Sequence, residues 1–341
     1  MRAAQISEDH SLHLVETEKP TAGPGDVVVR VHAAGVCGTD LHILDGMIKP
    51  DTYPMTLGHE AAGVVEEAGA GTVIAPGTRV ALYNKVHCGS CRQCRNGRQN
   101  ICDREPDQLG FNRDGGDAEY AVLPERNVVP LPDEVDFSTA AVLTCAGMTA
   151  VHAVRLSGIG LGDTAVVDGI GGVGIMVVQA ARTAGALVIA VADTEEKLQL
   201  AQEHGAAAGL LVPDADGYDG LPERVRAETS GRGADVFFEL VGTTRTMTAG
   251  VRSLAKRGRF VSTGYTTDSL DIHPIEFILS ETSFVSTVAA SVQDLEDAVH
   301  LAATGGLTVP IAGTFPLEGI HDALAALRER RVLGRQVLQL T

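Results

Sequence analysis

The pattern of apolar and polar positions divides the chain into two textures. Over residues 1–30 apolar positions alternate with polar ones in short strand-like runs, broken by turns such as Gly23-Pro24-Gly25-Asp26. Residues 27–31 form a β-branched run, and 62–66, 79–82 and 118–123 repeat the strand signal. This part reads as β-rich and compact, a partly open barrel. Near residue 135 the period changes, and 137–153 is a continuous apolar stretch compatible with a helix. Strands are then predicted at 165–168, 186–192, 209–212, 235–240 and 258–263. Helices are predicted between them at 173–183, 195–204, 219–229 and 246–254. Two further units should reach about residue 288. Such alternation predicts an α/β fold with a parallel, doubly wound sheet and right-handed crossovers. From about 290 the pattern is helix plus strand returning to the first part. No internal repeat or low-complexity tract interrupts it.

At 341 residues the chain exceeds one core, so two domains are expected. The change of texture places them at 1–146, completed by 290–341, and at 147–289. A formal charge of −17 and the lack of a basic run argue against nucleic-acid and anionic-membrane partners. No apolar stretch is read as long enough for a bilayer span, and residues 1–10 lack a signal-peptide core. A soluble cytoplasmic protein is the expectation. Absence of Trp, an aromatic content of 4% and 39 glycines suit tight strand–turn–helix joints better than a stacking platform for bases.

Chemistry concentrates in the cysteines. Cys88, Cys91, Cys94 and Cys102 follow C-x2-C-x2-C-x7-C, and they account for four of six cysteines in the chain. A disulfide cluster fits a small secreted chain, which this is not. Iron–sulfur motifs usually place the fourth Cys differently or beside Pro. The spacing favours a structural zinc pinning a lobe at about 85–105. Three further motifs can converge on a second metal: Cys37-Gly-Thr39-Asp40-Leu-His42, Gly58-His59-Glu60, and Cys145. Together Cys37, His59 and Cys145 supply two thiolates and an imidazole, the set that leaves zinc one open position. Each alone has an ordinary explanation, and sequence distance does not bring them together.

Gly169-Ile-Gly171-Gly172-Val173-Gly174 matches G-x-G-x-x-G between a predicted strand and helix, the context in which it binds a dinucleotide pyrophosphate. Asp193 lies 19 residues beyond Gly174, where a carboxylate binds both ribose hydroxyls. Glu195 and Glu196 follow it, so a 2′-phosphate meets repulsion that only Lys197 softens. NAD is favoured over NADP.

With these residues the chain resembles the zinc-containing medium-chain alcohol dehydrogenases over essentially its whole length. The resemblance implies a GroES-like catalytic domain with a Rossmann domain inserted in it. It implies Cys37, His59 and Cys145 as ligands of a catalytic zinc, and Cys88, Cys91, Cys94 and Cys102 as ligands of a structural zinc. Asp40 would orient His59, and Glu60 would sit beside the metal and exchange with water. Thr39 would accept the alcohol's proton and pass it through the nicotinamide ribose to His42. Arg335, after Gly334, would approach the pyrophosphate; a surface ion pair is the other reading. The implied reaction is hydride transfer between NAD and an alcohol or carbonyl substrate, in a homodimer or homotetramer. A polyol, sugar or amino-alcohol dehydrogenase is the alternative, and a non-catalytic nucleotide-binding descendant a further one. Relatives acting on polyols often carry Glu as third ligand, so Cys145 tilts toward simple, aromatic or allylic alcohols. Asn112-Arg113-Asp114 departs from the commoner family form, while Lys85 and His87 near the expected pocket mouth read as solvated.

Overall fold

A computed structural model describes residues 1–104 and 107–340; the end of the predicted lobe at residue 105, and residue 341, lie outside the described residues. The chain forms two compact units, Met1–Met148 with Ala290–Thr341, and Thr149–Ala289.

The first unit is organised on the strand Asp26–Val36. Ala61–Ala68, Tyr120–Pro124 and Arg335–Gln339 all pair with it antiparallel in a seven-stranded sheet. Val27, Val28, Val29 and Val31 are fully buried, which is why this strand reads as a run rather than an alternation. Its register against Ala61–Ala68 shifts twice, between Val28 and Val29 and between Val31 and Ala33. Such bulges bend and coil a strand. The last strand, Arg335–Gln339, sets Gln336 opposite Val36 and runs parallel to Ile311–Pro316. Thus the C-terminal segment closes the sheet on which the N-terminal motifs stand.

The second unit is a six-stranded parallel sheet in the order Ala208–Leu211, Leu187–Ala192, Thr164–Asp168, Ala234–Glu239, Leu254–Ser262, Ser283–Ser286. Counted within the unit this is 3-2-1-4-5-6, the doubly wound order, with its switch point between Thr164–Asp168 and Ala234–Glu239. The chain is therefore α/β as the alternation predicted, with the parallel sheet inserted in a β-rich unit. One detail differs. Between Ser262 and Ala289 there is one short helix, Pro274–Ile278, and one strand, not two further units. Residues 264–273 carry polar residues without an apolar period and form neither.

Residues 137–157 also depart from expectation. They form Phe137–Val142 as α-helix, Leu143–Gly147 as a π turn and Met148–Ser157 as α-helix. At 21 residues this helix is long and apolar enough to cross a membrane, contrary to the reading that no such stretch exists. Of its apolar window 67% is buried within the protein, which accounts for its composition.

Candidate active site and metal centres

The four-cysteine lobe sets its sulfurs on tight turns and single-turn helices. Cys91 caps the single-turn helix Arg92–Arg95, and Cys102 ends the 3-10 turn Gln99–Ile101. All four Sγ atoms lie within 4.8 Å of one another, with Cys88–Cys94 and Cys91–Cys102 at 3.9 Å. A tetrahedron of zinc–thiolate bonds has edges of about 3.8 Å. The N–H groups of Ser90 and Cys91 donate to Cys88 Sγ and pull its thiol down to about 5, whereas burial pushes Cys94 up to about 12. Four thiols so close do not all ionise without a cation, and their geometry and softness fit zinc.

The second cluster gathers Cys37, His59, Glu60 and Cys145, whose ligand atoms also lie within 4.8 Å of one another. Cys37 leaves the long strand and caps the helix Gly38–Leu44. Asp40, in that helix's first turn, accepts from Cys37 N at 2.8 Å and faces His59 Nδ1 at 3.1 Å. Holding the proton at Nδ1 leaves a lone pair on Nε2, which is buried and has no hydrogen-bond partner. Cys145 is carried on the π turn. Cys37 sits well below the ordinary thiol range, chiefly through its hydrogen bond with Cys145. The same bond and burial lift Cys145 well above it, so the two sulfurs hold one proton. Two thiols and an imidazole lone pair buried together are a donor set that fits zinc.

Thr39 Oγ1 lies 3.7 Å from Cys37 Sγ, at the edge of this cluster. His42 is one turn further along the same helix and half-buried. Glu60 is fully buried, and Arg335 donates to both its oxygens. Burial pushes the Glu60 carboxyl up to about 7 against the pull of Arg335. Gly35 makes room for it: a Cβ there would lie 2.0 Å from Glu60 Oε2. Arg335 is 4% exposed, so the surface ion pair is excluded. A partner for Glu60 lay beyond sequence reading, because the contact depends on strand Arg335–Gln339 pairing with residues about 300 positions away.

His87 is likewise 6% exposed rather than solvated, and neither ring nitrogen has a partner. Burial, aided by Arg126, holds it below the ordinary imidazole range. Lys85 is half-buried and lines a cavity of about 200 Å³ with Lys49, Asp107, Gln108 and Phe111. Arg113 pairs with Asp107 at 3.3 Å and donates to Val122 O. Two residues of this site gave no sequence signal. Asn84 donates to His59 O at 3.1 Å and Thr144 O at 3.4 Å, tying the imidazole segment to the π turn. The Phe111 ring packs edgewise on His59 at 5.5 Å.

In the second unit the strand Thr164–Asp168 delivers the loop Gly169 to Gly174 to the start of helix Gly174–Thr183. Gly169 has φ of 100°, and a Cβ on Gly174 would lie 2.1 Å from Gly169 O. No side chain caps this helix; Ile175 N and Met176 N donate to Gly171 O and Val173 O, and the positive end of the helix dipole lies at the glycine bend, where it favours an anion. Gly171, Gly172 and Val173 form the bend over that terminus. Asp193 follows the strand Leu187–Ala192, and Lys197 Nζ sits 2.6 Å from its carboxylate. The loop, the uncapped helix and the acid at the second strand end fit NAD.

Residues 23–133 match the alcohol dehydrogenase GroES-like domain family, and 172–304 the zinc-binding dehydrogenase family. The chain is 33% identical to an alcohol dehydrogenase of Geobacillus stearothermophilus, over all of both chains. It is 34% identical to an NAD-dependent alcohol dehydrogenase of Saccharolobus solfataricus, with 99% of each covered. The alcohol dehydrogenase structure from Aeropyrum pernix superposes with a TM-score of 0.91 at 33% identity, covering all of both chains. This chain belongs to the zinc-containing medium-chain alcohol dehydrogenase family.

Proposed function

We propose that the chain is an NAD-dependent, zinc-dependent dehydrogenase that interconverts an alcohol with its aldehyde or ketone. The observation that carries this reading is the convergence of Cys37 Sγ, Cys145 Sγ and the orphaned His59 Nε2, with the Thr39 hydroxyl beside them. Cys37, His59 and Cys145 would hold the catalytic zinc, with Glu60 as an alternative ligand, and the 88–102 cysteines the structural one. When bound, zinc polarises the substrate oxygen and NAD exchanges hydride with the substrate carbon. Thr39 Oγ1 would accept the proton of the substrate hydroxyl as it gives up its own toward the nicotinamide ribose, and His42, one turn along the helix, would pass that proton to solvent. Asp40 fixes the His59 tautomer, and Arg335 holds the Glu60 carboxylate. Gly169, Gly171, Gly172, Val173 and Gly174 cradle the pyrophosphate, and Asp193 takes the adenosine ribose. The burial of Arg335 against Glu60 supports a role on that carboxylate in place of the pyrophosphate contact. In this reading the unit containing both cysteine clusters is the catalytic domain, and the parallel sheet the cofactor domain.

Six unbridged cysteines accord with a cytoplasmic location. An oligomer, dimer or tetramer, is supported by the apolar edge of the parallel sheet, where Ile278 and Leu279 are 69% and 74% exposed.

The test combines metal analysis with turnover. Purified protein should carry two zinc ions per chain and reduce NAD⁺ with members of a panel of primary, secondary, aromatic and polyol alcohols. Cys37→Ala should abolish turnover while keeping NADH binding and one zinc. Activity surviving in that variant would falsify the catalytic-zinc assignment.

A further inference from the structure

Beneath the glycine loop lie two buried acids that the reaction does not use. Asp168 immediately precedes Gly169, and on the neighbouring parallel strand Glu239 stands directly opposite it. Both are fully buried. Glu239 Oε1 accepts from Val241 N at 3.0 Å, Gly242 N at 2.6 Å and Thr246 Oγ1 at 2.7 Å. Asp168 Oδ1 accepts from the Tyr218 hydroxyl at 2.9 Å. The second oxygen of each carboxyl, Asp168 Oδ2 and Glu239 Oε2, has no partner. The loop rests on this pair: Leu240 N donates to Asp168 O at 3.0 Å, and a Cβ on Gly169 would meet Val241 at 2.9 Å.

Two carboxylates in this position do not both keep their charge, since each ionised oxygen without a donor is costly to bury. Glu239 has three donors and is the member that stays ionised. Asp168 has one, and keeps its proton. Burial, then the charge of Glu239, raises Asp168 to about 8, with Tyr218 pulling the other way. Burial also raises Glu239, against its three donors. The remaining groups acting here are the Tyr218 phenol, held protonated by burial and Asp168, and Asp193, which acts on Tyr218. Among the described residues no Lys or Arg acts on either acid.

We propose that Asp168, held by Tyr218 and facing Glu239, is a positioning acid for the cofactor: protonated it leaves Glu239 as the single charge of the pair beside the pyrophosphate loop, and ionised it adds a second that weakens the hold on the dinucleotide. The inference rests on the reading of residues 169–174 as the NAD site. Loss of the proton to solvent puts a second anion at the end of the strand that delivers the glycine loop, and its field opposes the binding of the phosphates. By reciprocity the bound pyrophosphate strengthens the hold of Asp168 on its proton, so binding near pH 8 takes up a proton.

ADP-ribose is the probe, because it fills the loop without presenting a nicotinamide ring to the metal cluster. Its Kd for the zinc-loaded protein is measured by titration calorimetry from pH 6.5 to 9.5. Wild type should weaken roughly tenfold over this range, as for a buried unit charge facing the phosphates at intermediate dielectric. Asp168→Asn should hold the low-pH affinity throughout. Tyr218→Phe removes a donor to the carboxylate, so its weakening should move to higher pH. A wild-type affinity flat with pH, or an Asn variant that weakens as wild type does, overturns the proposal. So does an unmoved transition in Tyr218→Phe, which serves if the Asn variant fails to fold. No binding of ADP-ribose at any pH sinks the reading of the loop itself, a different result from binding without pH dependence.

Discussion

The pair Arg335–Glu60 puts a guanidinium and a carboxyl where neither meets water, at 4% and 0% exposure. Burial alone would neutralise the carboxylate; Arg335, pinned by its strand and held charged by Glu60, Cys37 and Cys145 against the same burial, is what opposes that. Removing the cation therefore leaves a buried carboxyl that loses both hydrogen bonds from Arg335 and must take up a proton. Arg335→Met should lower stability by about 3–5 kcal/mol in urea unfolding near neutral pH. Adding Glu60→Gln should restore a large part, because the second change removes the ionisable group left without its partner. A double variant no more stable than the single would show that Arg335 acts through packing instead. This is also where residue-scale reading stops. Cys37, His59 and Cys145 were legible because ligand chemistry restricts residue types sharply. Arg335 was not, because its partner is chosen by a strand register between the two ends of the chain. Asp168 stood in plain view as a charge ending an apolar strand, yet its meaning depends on Glu239 and Tyr218 arriving beside it.

At the scale of elements, the apolar period announced a helix at 137–153 and gave no hint of the π turn within it. A π turn holds one more residue than an α turn, and it widens the helix locally without breaking it. Here it carries Cys145 out toward Cys37, while Ala146 and Leu143 stay buried. Apolar side chains on every face of this helix make all registers look alike in sequence, so nothing local marks the extra residue. Deleting Ala146 should convert the turn to α-helix and keep the faces of Phe137–Val142 and Met148–Ser157 in register. The expected product is a folded protein with one zinc in place of two and no turnover, read by metal analysis and circular dichroism. Retention of both zinc ions would mean that Cys145 reaches the cluster without the π geometry. The lobe shows the opposite balance: its short spacings revealed its ligands, but as a hydrophobic pattern it is almost silent, since between Cys88 and Cys102 it buries only Cys94, Asn100 and Cys102.

For the molecule as a whole, alternation of strand and helix was enough to give a doubly wound sheet, because right-handed crossovers leave few other arrangements. What it does not give is how the two edges end. At one, Leu211 O accepts from Arg224, so a side chain from the following helix covers part of the row of backbone groups. At the other, Ser283–Ser286 is the last strand, with Phe284 46% and Val288 52% exposed beside Ile278 and Leu279. An apolar edge of this kind invites pairing with another chain. With a formal charge of −17, two copies repel over most of their surface, and residues 274–288, with Glu276 and Glu281 as their only charges, form a segment that escapes this. A second copy across a two-fold axis is the occupant that the proposed homo-oligomer supplies, since a two-fold contact meets its own surface. Light scattering after size exclusion should then give a mass that is a multiple of the 35.6 kDa chain. Phe284→Lys places a charge on the edge, facing its own copy across the axis, and should lower that mass without loss of secondary structure. If wild type runs as a single chain, or the variant keeps the wild-type mass, this edge is not the interface.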